Sequence, residues 1–280
     1  MKRIFFTIII FCILLPHLTY SLSLAQNNKR AIVLIISPDK YGSGFLISYQ
    51  GIGLFIVTNK HVLTSDSSGQ YYDSVFICEN TISEGDIITE TNKLKAVHLK
   101  YNDFSLMTAH DDPDVDLVLI QVGNITLPNG DTLSNPVNFD KLVAFNSKAV
   151  ANRQDFKRLN IIDGKDIQLV GFSFFQDSEV QYHISRFGKI ALRPNHSLTI
   201  IFDNNRDSIP DDTVTSEWII LDITSRSGDS GGPVFLMEQG LEQLYLIGFV
   251  KGNNADLQIC YAQPSYYISD LLEKFLRHEK

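Results

Sequence analysis

Cysteine is scarce in this chain. Only three of its 280 residues are Cys, and Cys12 lies inside an apolar run at the N-terminus. The other two, Cys78 and Cys260, rule out a disulfide-stapled scaffold. One bridge between them would be compatible with an exported protein, but two buried free thiols are the expectation. Long apolar runs are missing too: beyond residues 4–15, none approaches the roughly 20 residues that span a bilayer. There is no basic cluster, and 32 acidic residues outnumber 24 basic ones for a formal charge of −8, so nothing attracts nucleic acid electrostatically. Repeats, heptads and low-complexity segments are also absent. The acidic stretch 203–212 alternates oxygen-bearing side chains as hard-cation loops do. However, Arg206 interrupts it and the turn Gly and closing Glu are missing, so it reads as a solvated hairpin tip. No metal and no cofactor are expected, and no feature fixes an oligomeric state.

What is present begins with a leader. Lys2 and Arg3 precede the apolar run, and Ser23-Leu24-Ala25 supplies small residues where a signal peptidase cuts. Residues 1–25 therefore read as a secretory signal peptide. The expected product, 26–280, is secreted or periplasmic, with no membrane span once the leader is removed. It is long enough for one two-lobed domain.

The rest is written in short runs that are apolar or alternate with period two: 31–36, 45–48, 54–58, 74–78, 94–101 and 117–122. After a polar stretch come 167–174, 180–192, 198–202, 218–223, 234–237, 244–250 and 258–262. Gly, Asn and Asp punctuate them, which is the pattern of an all-β protein. The end differs. Ile268, Leu271, Leu272, Phe275 and Leu276 form a helical stripe, with Ser265 as the candidate cap.

Three segments carry chemistry. In Gly228-Asp229-Ser230-Gly231-Gly232-Pro233 a serine sits among glycines and Pro233 blocks a helix. Such a frame leaves main-chain N–H groups uncovered around a hydroxyl, and the N–H groups of Gly228 and Ser230 form a candidate oxyanion hole. Upstream, Leu54-Phe55-Ile56-Val57-Thr58-Asn59-Lys60-His61-Val62 is an apolar strand running into a histidine. Between these lies Asp114-Val115-Asp116-Leu117-Val118-Leu119-Ile120, in which Asp116 opens an apolar strand. Asp114 is the alternative acid. His110, followed by Asp111 and Asp112 and lacking a preceding apolar strand, is a weak rival to His61; His98 and His183 fall in strand-like runs.

Together these segments resemble the trypsin/chymotrypsin-like serine peptidases, in the bacterial and HtrA-like form of the protease domain. Gly42-Ser43-Gly44-Phe45-Leu46-Ile47 resembles the strand before the histidine strand, and the order His61, Asp116, Ser230 is that of this fold. The resemblance implies two six-stranded antiparallel β-barrels, about 31–135 and about 156–264, with a C-terminal helix over about 265–279. The barrels join near 135–155. The 50 residues after Ser230 leave no room for a PDZ domain. It further implies a serine endopeptidase acting on protein or peptide substrates: His61 as general base, Asp116 orienting it, and Ser230 as nucleophile. Relatives often insert a newly cut Ile-Val-Gly-Gly terminus beside the Asp preceding the nucleophile. No such terminus exists here, so Asp229 is expected to find another partner. Lys251 stands where a Ser is usual on the substrate-pairing strand, beside Gly252, with its side chain expected in solvent. Thr224 falls at the base of the specificity pocket, where trypsin-like preference needs an Asp, so uncharged side chains are expected to be preferred. The alternatives are a catalytically silent binding module on the same fold, or an esterase. An esterase would need a helix after Ser230 and a downstream histidine other than the terminal His278.

Overall fold

The computed structural model describes residues 31–49, 53–79, 93–101, 104–126, 132–135, 144–172, 183–194, 197–202, 212–238 and 244–278. The leader 1–25 and residues 203–211 of the acidic loop lie outside them.

The N-terminal half carries one curled, almost wholly antiparallel sheet and a small separate hairpin. It comprises β1 (Ile32–Ile36), β2 (Tyr41–Tyr49), β3 (Gly53–Thr58), β4 (Ser74–Glu79), β5 (Lys93–His98), β6 (Lys100–Tyr101), β7 (Phe104–Ser105), β8 (Met107–Ala109), β9 (Val118–Thr126) and β10 (Thr132–Asn135). The order is β10-β9-β3-β2-β1-β4-β5, with β8 on the other edge of β9 and the β6–β7 hairpin set apart. Between β5 and β8 no ladder forms. One main-chain bond spans the gap, Leu106 N–H donating to Leu99 C=O at 2.9 Å, while Leu106 C=O accepts from Gln121 N–H of β9 at 2.9 Å. The first lobe of the expected double-barrel fold is thus a half-barrel sheet, interrupted at the β6–β7 hairpin.

The linker holds β11 (Phe145–Asn146), a 3₁₀ turn (Ser147–Ala149) and, after the one-turn helix α1 (Lys60–Leu63) of the first half, helix α2 (Arg153–Arg158). Asn152 and Asp155 build a capping box on α2, satisfying end N–H groups that would otherwise lack acceptors. The second half is a closed barrel. Its strands are β12 (Asp166–Phe172), β13 (His183–Leu192), β16 (Ile219–Asp222), β17 (Pro233–Leu236), β18 (Tyr245–Asn254) and β19 (Ile259–Pro264), in the order β12-β13-β16-β19-β18-β17. A separate hairpin, β14 (Ser197–Phe202) with β15 (Asp212–Glu217), stands beside it. The chain ends in α3 (Tyr266–His278). Ser265 does not cap it with its hydroxyl, which instead donates to Ala151 C=O at 2.7 Å and ties the helix to the linker.

Period-two alternation decides which core each side chain joins. In the first half Val33, Ile35, Leu46, Ile56, Val118 and Ile120 fill the interior. Their neighbours Ile32, Leu34, Phe45, Phe55, Val57 and Leu119 face the other way. There they meet Val170, Phe172, Phe235 and Phe249 of the second barrel and Ile268, Leu271 and Leu272 of α3. Both faces of these strands are buried, which is why they read as continuous apolar runs rather than as alternation. The halves and the helix therefore share one core, with polar segments caught at its edge.

Candidate active site

At that edge β3 delivers Thr58 and Asn59, both buried, into α1. Asn59 occupies the helix N-cap without capping it. Its side-chain amide is used elsewhere, donating to Asp116 Oδ2 at 3.1 Å. His61 follows, half-exposed, with Nδ1 2.5 Å from Asp116 Oδ2 and its main-chain N–H 3.1 Å from Asp116 Oδ1. The carboxylate therefore fixes both the ring and the backbone that carries it. Asp116 is itself clamped from the second barrel. Gln263, buried on β19, accepts the Asp116 N–H at 2.8 Å and donates to Asp114 C=O at 2.7 Å. Burial raises the Asp116 pKa, but the neighbouring His61 and Lys251 outweigh it and hold the carboxyl well below its ordinary value.

Lys251 is not in solvent. Its side chain is 12% exposed and Nζ lies 2.8 Å from Asp116 Oδ2. The cause is local. The β18–β19 register shifts between Val250 and Gly252, so Lys251 is the extra residue of a bulge, a feature that re-aims side chains.

The Ser230 loop is seated on the histidine segment. A side chain at Gly231 would put Cβ 2.7 Å from Thr58 Oγ1 and 2.1 Å from Ser43 C=O, and Ser43 N–H donates to Ser230 C=O at 2.7 Å. Ser230 Oγ, half-buried, donates to Lys251 C=O at 3.4 Å. Gly228 has φ of +95°, and a Cβ there would lie 2.0 Å from Phe172 C=O, so only glycine fits. The Ser43 hydroxyl bonds Gly228 C=O at 2.6 Å and accepts from Phe172 N–H at 2.8 Å, stapling the loop to both barrels. Among the described residues the N–H groups of Asp229, Gly231 and Gly232 are bonded, whereas those of Gly228 and Ser230 are not.

Asp229 is fully buried. It pairs with Arg186 of β13 at 2.7 Å and accepts from Arg226 N–H at 2.6 Å. A side chain of β13 thus supplies a partner for the buried carboxylate. Sequence reading missed Arg186, although a signal existed: it shares parity with Ile184, Gly188 and Ile190, the inward face of β13.

The residues expected at the substrate cleft are only partly gathered. Thr224 is exposed rather than closing a pocket; its neighbour Ser225 is buried, and the Ser225 C=O accepts from Asn253 Nδ2 at 2.5 Å. Gly252 lies against Phe202 of β14, which supplies an aromatic wall that Gly252 lacks. His110 takes no part, being half-buried with its ring edge-on to Tyr267; burial lowers its pKa. Cys78 and Cys260 are both buried, and neither is in a disulfide.

Fold and site together define a double-barrel protein in which a half-exposed imidazole sits on a buried carboxylate and a glycine-framed serine loop packs on the segment ahead of that histidine. A model of the trypsin-like peptidase domain matches residues 42–248, and the chain belongs to that family. Among solved structures it is similar to the Rv3671c protease of M. tuberculosis H37Rv. The inactive serine-to-alanine mutant shows 17% identity over 90% of this chain and 89% of that one, with a TM-score of 0.45. The active form of the same protease shows 18% identity over 90% and 83%, with a TM-score of 0.46. No curated protein sequence matches.

Proposed function

We propose that this peptidase-family protein is an exported serine endopeptidase working through His61, Asp116 and Ser230. The observation that carries the reading is the 2.5 Å His61–Asp116 contact, with the Ser230–Gly231 loop packed on Thr58 and Asn59 just ahead of His61. In the reaction Ser230 Oγ attacks the peptide carbonyl carbon while His61 Nε2 takes its proton. Asp116 holds the proton on Nδ1 and stabilises the imidazolium. The carbonyl oxygen, now negative, is held by the unbonded N–H groups of Gly228 and Ser230. His61 then protonates the departing amine, and water, activated by the same imidazole, releases the acyl group. Export is supported by the leader pattern from Lys2 to Ala25.

Specificity follows from the charges left available. Lys251 faces Asp116 and Arg226 is exposed, and Thr224 and Ser225 carry no charge. The Asn253–Ser225 bond also draws β18 toward the 224–230 segment. Uncharged residues should therefore precede the scissile bond. An internally quenched peptide library tests both points: the protein beginning at Gln26 hydrolyses it and the Ser230→Ala variant does not. No cleavage by the folded protein, or equal cleavage by the variant, contradicts the mechanism. Dominant cleavage after Lys or Arg contradicts only the specificity.

A further inference from the structure

The ammonium group on Asp116 is not explained by packing alone. Asp116 Oδ2 accepts from His61 and Asn59 as well as Lys251. A neutral donor would complete that set equally well, so the charge of Lys251 needs its own account. Its delivery is also specific: the bulge in β18 turns Lys251 away from the surface face, and its Nζ passes 5.7 Å from the Phe202 ring centre on the way to the carboxylate.

We propose that Lys251 is a positioning residue of the triad, fixing the Asp116 carboxylate and sharing its negative charge with His61. This rests on the triad reading above. The physical argument is competition. Lys251 Nζ and His61 Nδ1 both contact one oxygen, which places the two cations within the roughly 4–6 Å over which neighbouring charges shift protonation equilibria. A proton added to His61 then meets a carboxylate already half-neutralised, and a like charge beside it.

The other groups around the carboxylate do not reproduce this effect. Lys60 on α1 is a second cation attracted to Asp116, but its Nζ donates to Asp112 C=O and it also feels Asp111 and Asp112. Tyr71, on the segment after α1, feels the Asp116 charge while burial raises its own pKa, so it stays neutral. From the second barrel Gln263 contributes only neutral bonds, to the Asp116 N–H and the Asp114 C=O. Lys251 is the cation in direct contact with the oxygen that His61 uses. The Lys251 main chain adds a second link, since its C=O receives the Ser230 hydroxyl. One bulged residue therefore touches the acid through its side chain and the nucleophile through its backbone.

The test is the pH dependence of kcat/KM for the full protein beginning at Gln26, with Lys251→Met, Lys251→Gln and Lys251→Arg variants. Loss of the charge should move the acidic limb upward by about one pH unit or more in both neutral variants. At a fixed pH on that limb, each pH unit of displacement should cost them roughly tenfold relative to their own plateau. Lys251→Arg should leave the limb in place. Lys251→Gln keeps a donor for the carboxylate, so it separates charge from hydrogen bonding and serves if Lys251→Met does not fold. An unmoved limb in an active neutral variant would overturn the proposal. So would a limb moved equally by Lys251→Arg. Fluorophosphonate labelling of Ser230 in the parent protein separates the two levels: labelling with an unmoved limb refutes the role of Lys251 alone, whereas absence of labelling removes the triad and this proposal with it.

Discussion

Replacing Arg186 by methionine should disable the site from behind. Asp229 is fully buried, and the Arg186 guanidinium, 15% exposed, is the cation that meets it at 2.7 Å. Removing one partner of a buried pair leaves an uncompensated charge, at a cost of about 3–5 kcal/mol. Asp229 keeps the bond from Arg226 N–H at 2.6 Å, which places the loss at the lower end of that range. A domain of this size loses about 2–4 °C of Tm per kcal/mol, so Tm should fall by roughly 6–12 °C. The alternative relaxation is for the Asp229 side chain to escape toward water. Gly171 prevents a small adjustment, because a Cβ there would sit 2.6 Å from Asp229 Oδ1 and the carboxylate fills that space. Escape would instead rotate the Gly228–Ser230 backbone and spoil the oxyanion donors, a loss of about 10²–10³ in kcat. Thermal melting by circular dichroism and kcat/KM on a quenched peptide read the two outcomes, and at least one must change. The double variant Arg186→Met/Asp229→Asn should recover part of the Tm, since both charges are gone. The parent should need no N-terminal trimming beyond Gln26. Wild-type Tm together with wild-type kcat/KM in Arg186→Met would refute the argument.

Other outcomes follow from the same geometry. Ser230→Ala and His61→Ala should each reduce kcat by about 10⁴-fold or more, and the double variant should lose little further, because the residues act as a unit; His110→Ala should stay active. Gln263→Leu leaves the Asp116 N–H buried without a partner, so urea unfolding should show a loss of about 1–3 kcal/mol, with catalysis impaired as Asp116 loosens. Burial pushes the Cys260 thiol up to about 12, so it should resist alkylation in the native protein at neutral pH and react once unfolded. Asp116 is held below its unfolded value of about 3.9, so its contribution to stability is complete above that pH. It should be lost as pH falls through the lower native value, seen as a steepening acid branch that Asp116→Asn lacks.

The sequence made visible whatever depends on local pattern. Strands buried on both faces announced themselves as apolar runs, the stripe from Ile268 to Phe275 announced α3, and the glycine frame of Ser230 announced its loop. Contacts set by register were hidden. Nothing adjacent to Lys251 reveals that a bulge opposite Tyr261 and Ala262 swings it inward. Gln263 is an ordinary polar residue until the second barrel brings it to Asp116, and Arg186 looks solvated until the parity of β13 is known. The run 94–101 reads as one strand, but it splits into β5 and β6, because β6 turns away to pair with β7. Helix α2 has only six residues, too few for a stripe, and its capping box was the one local sign.

The most direct test of the account is where a fluorophosphonate reacts. Such a probe modifies only a serine whose proton a neighbouring base removes, so intact mass followed by peptide mapping reads activation itself. The account predicts a single adduct on Ser230 in the native protein, lost on heat denaturation and reduced to background by His61→Ala. A folded protein that takes no adduct, or one that takes it on another residue or equally well without His61, would contradict it.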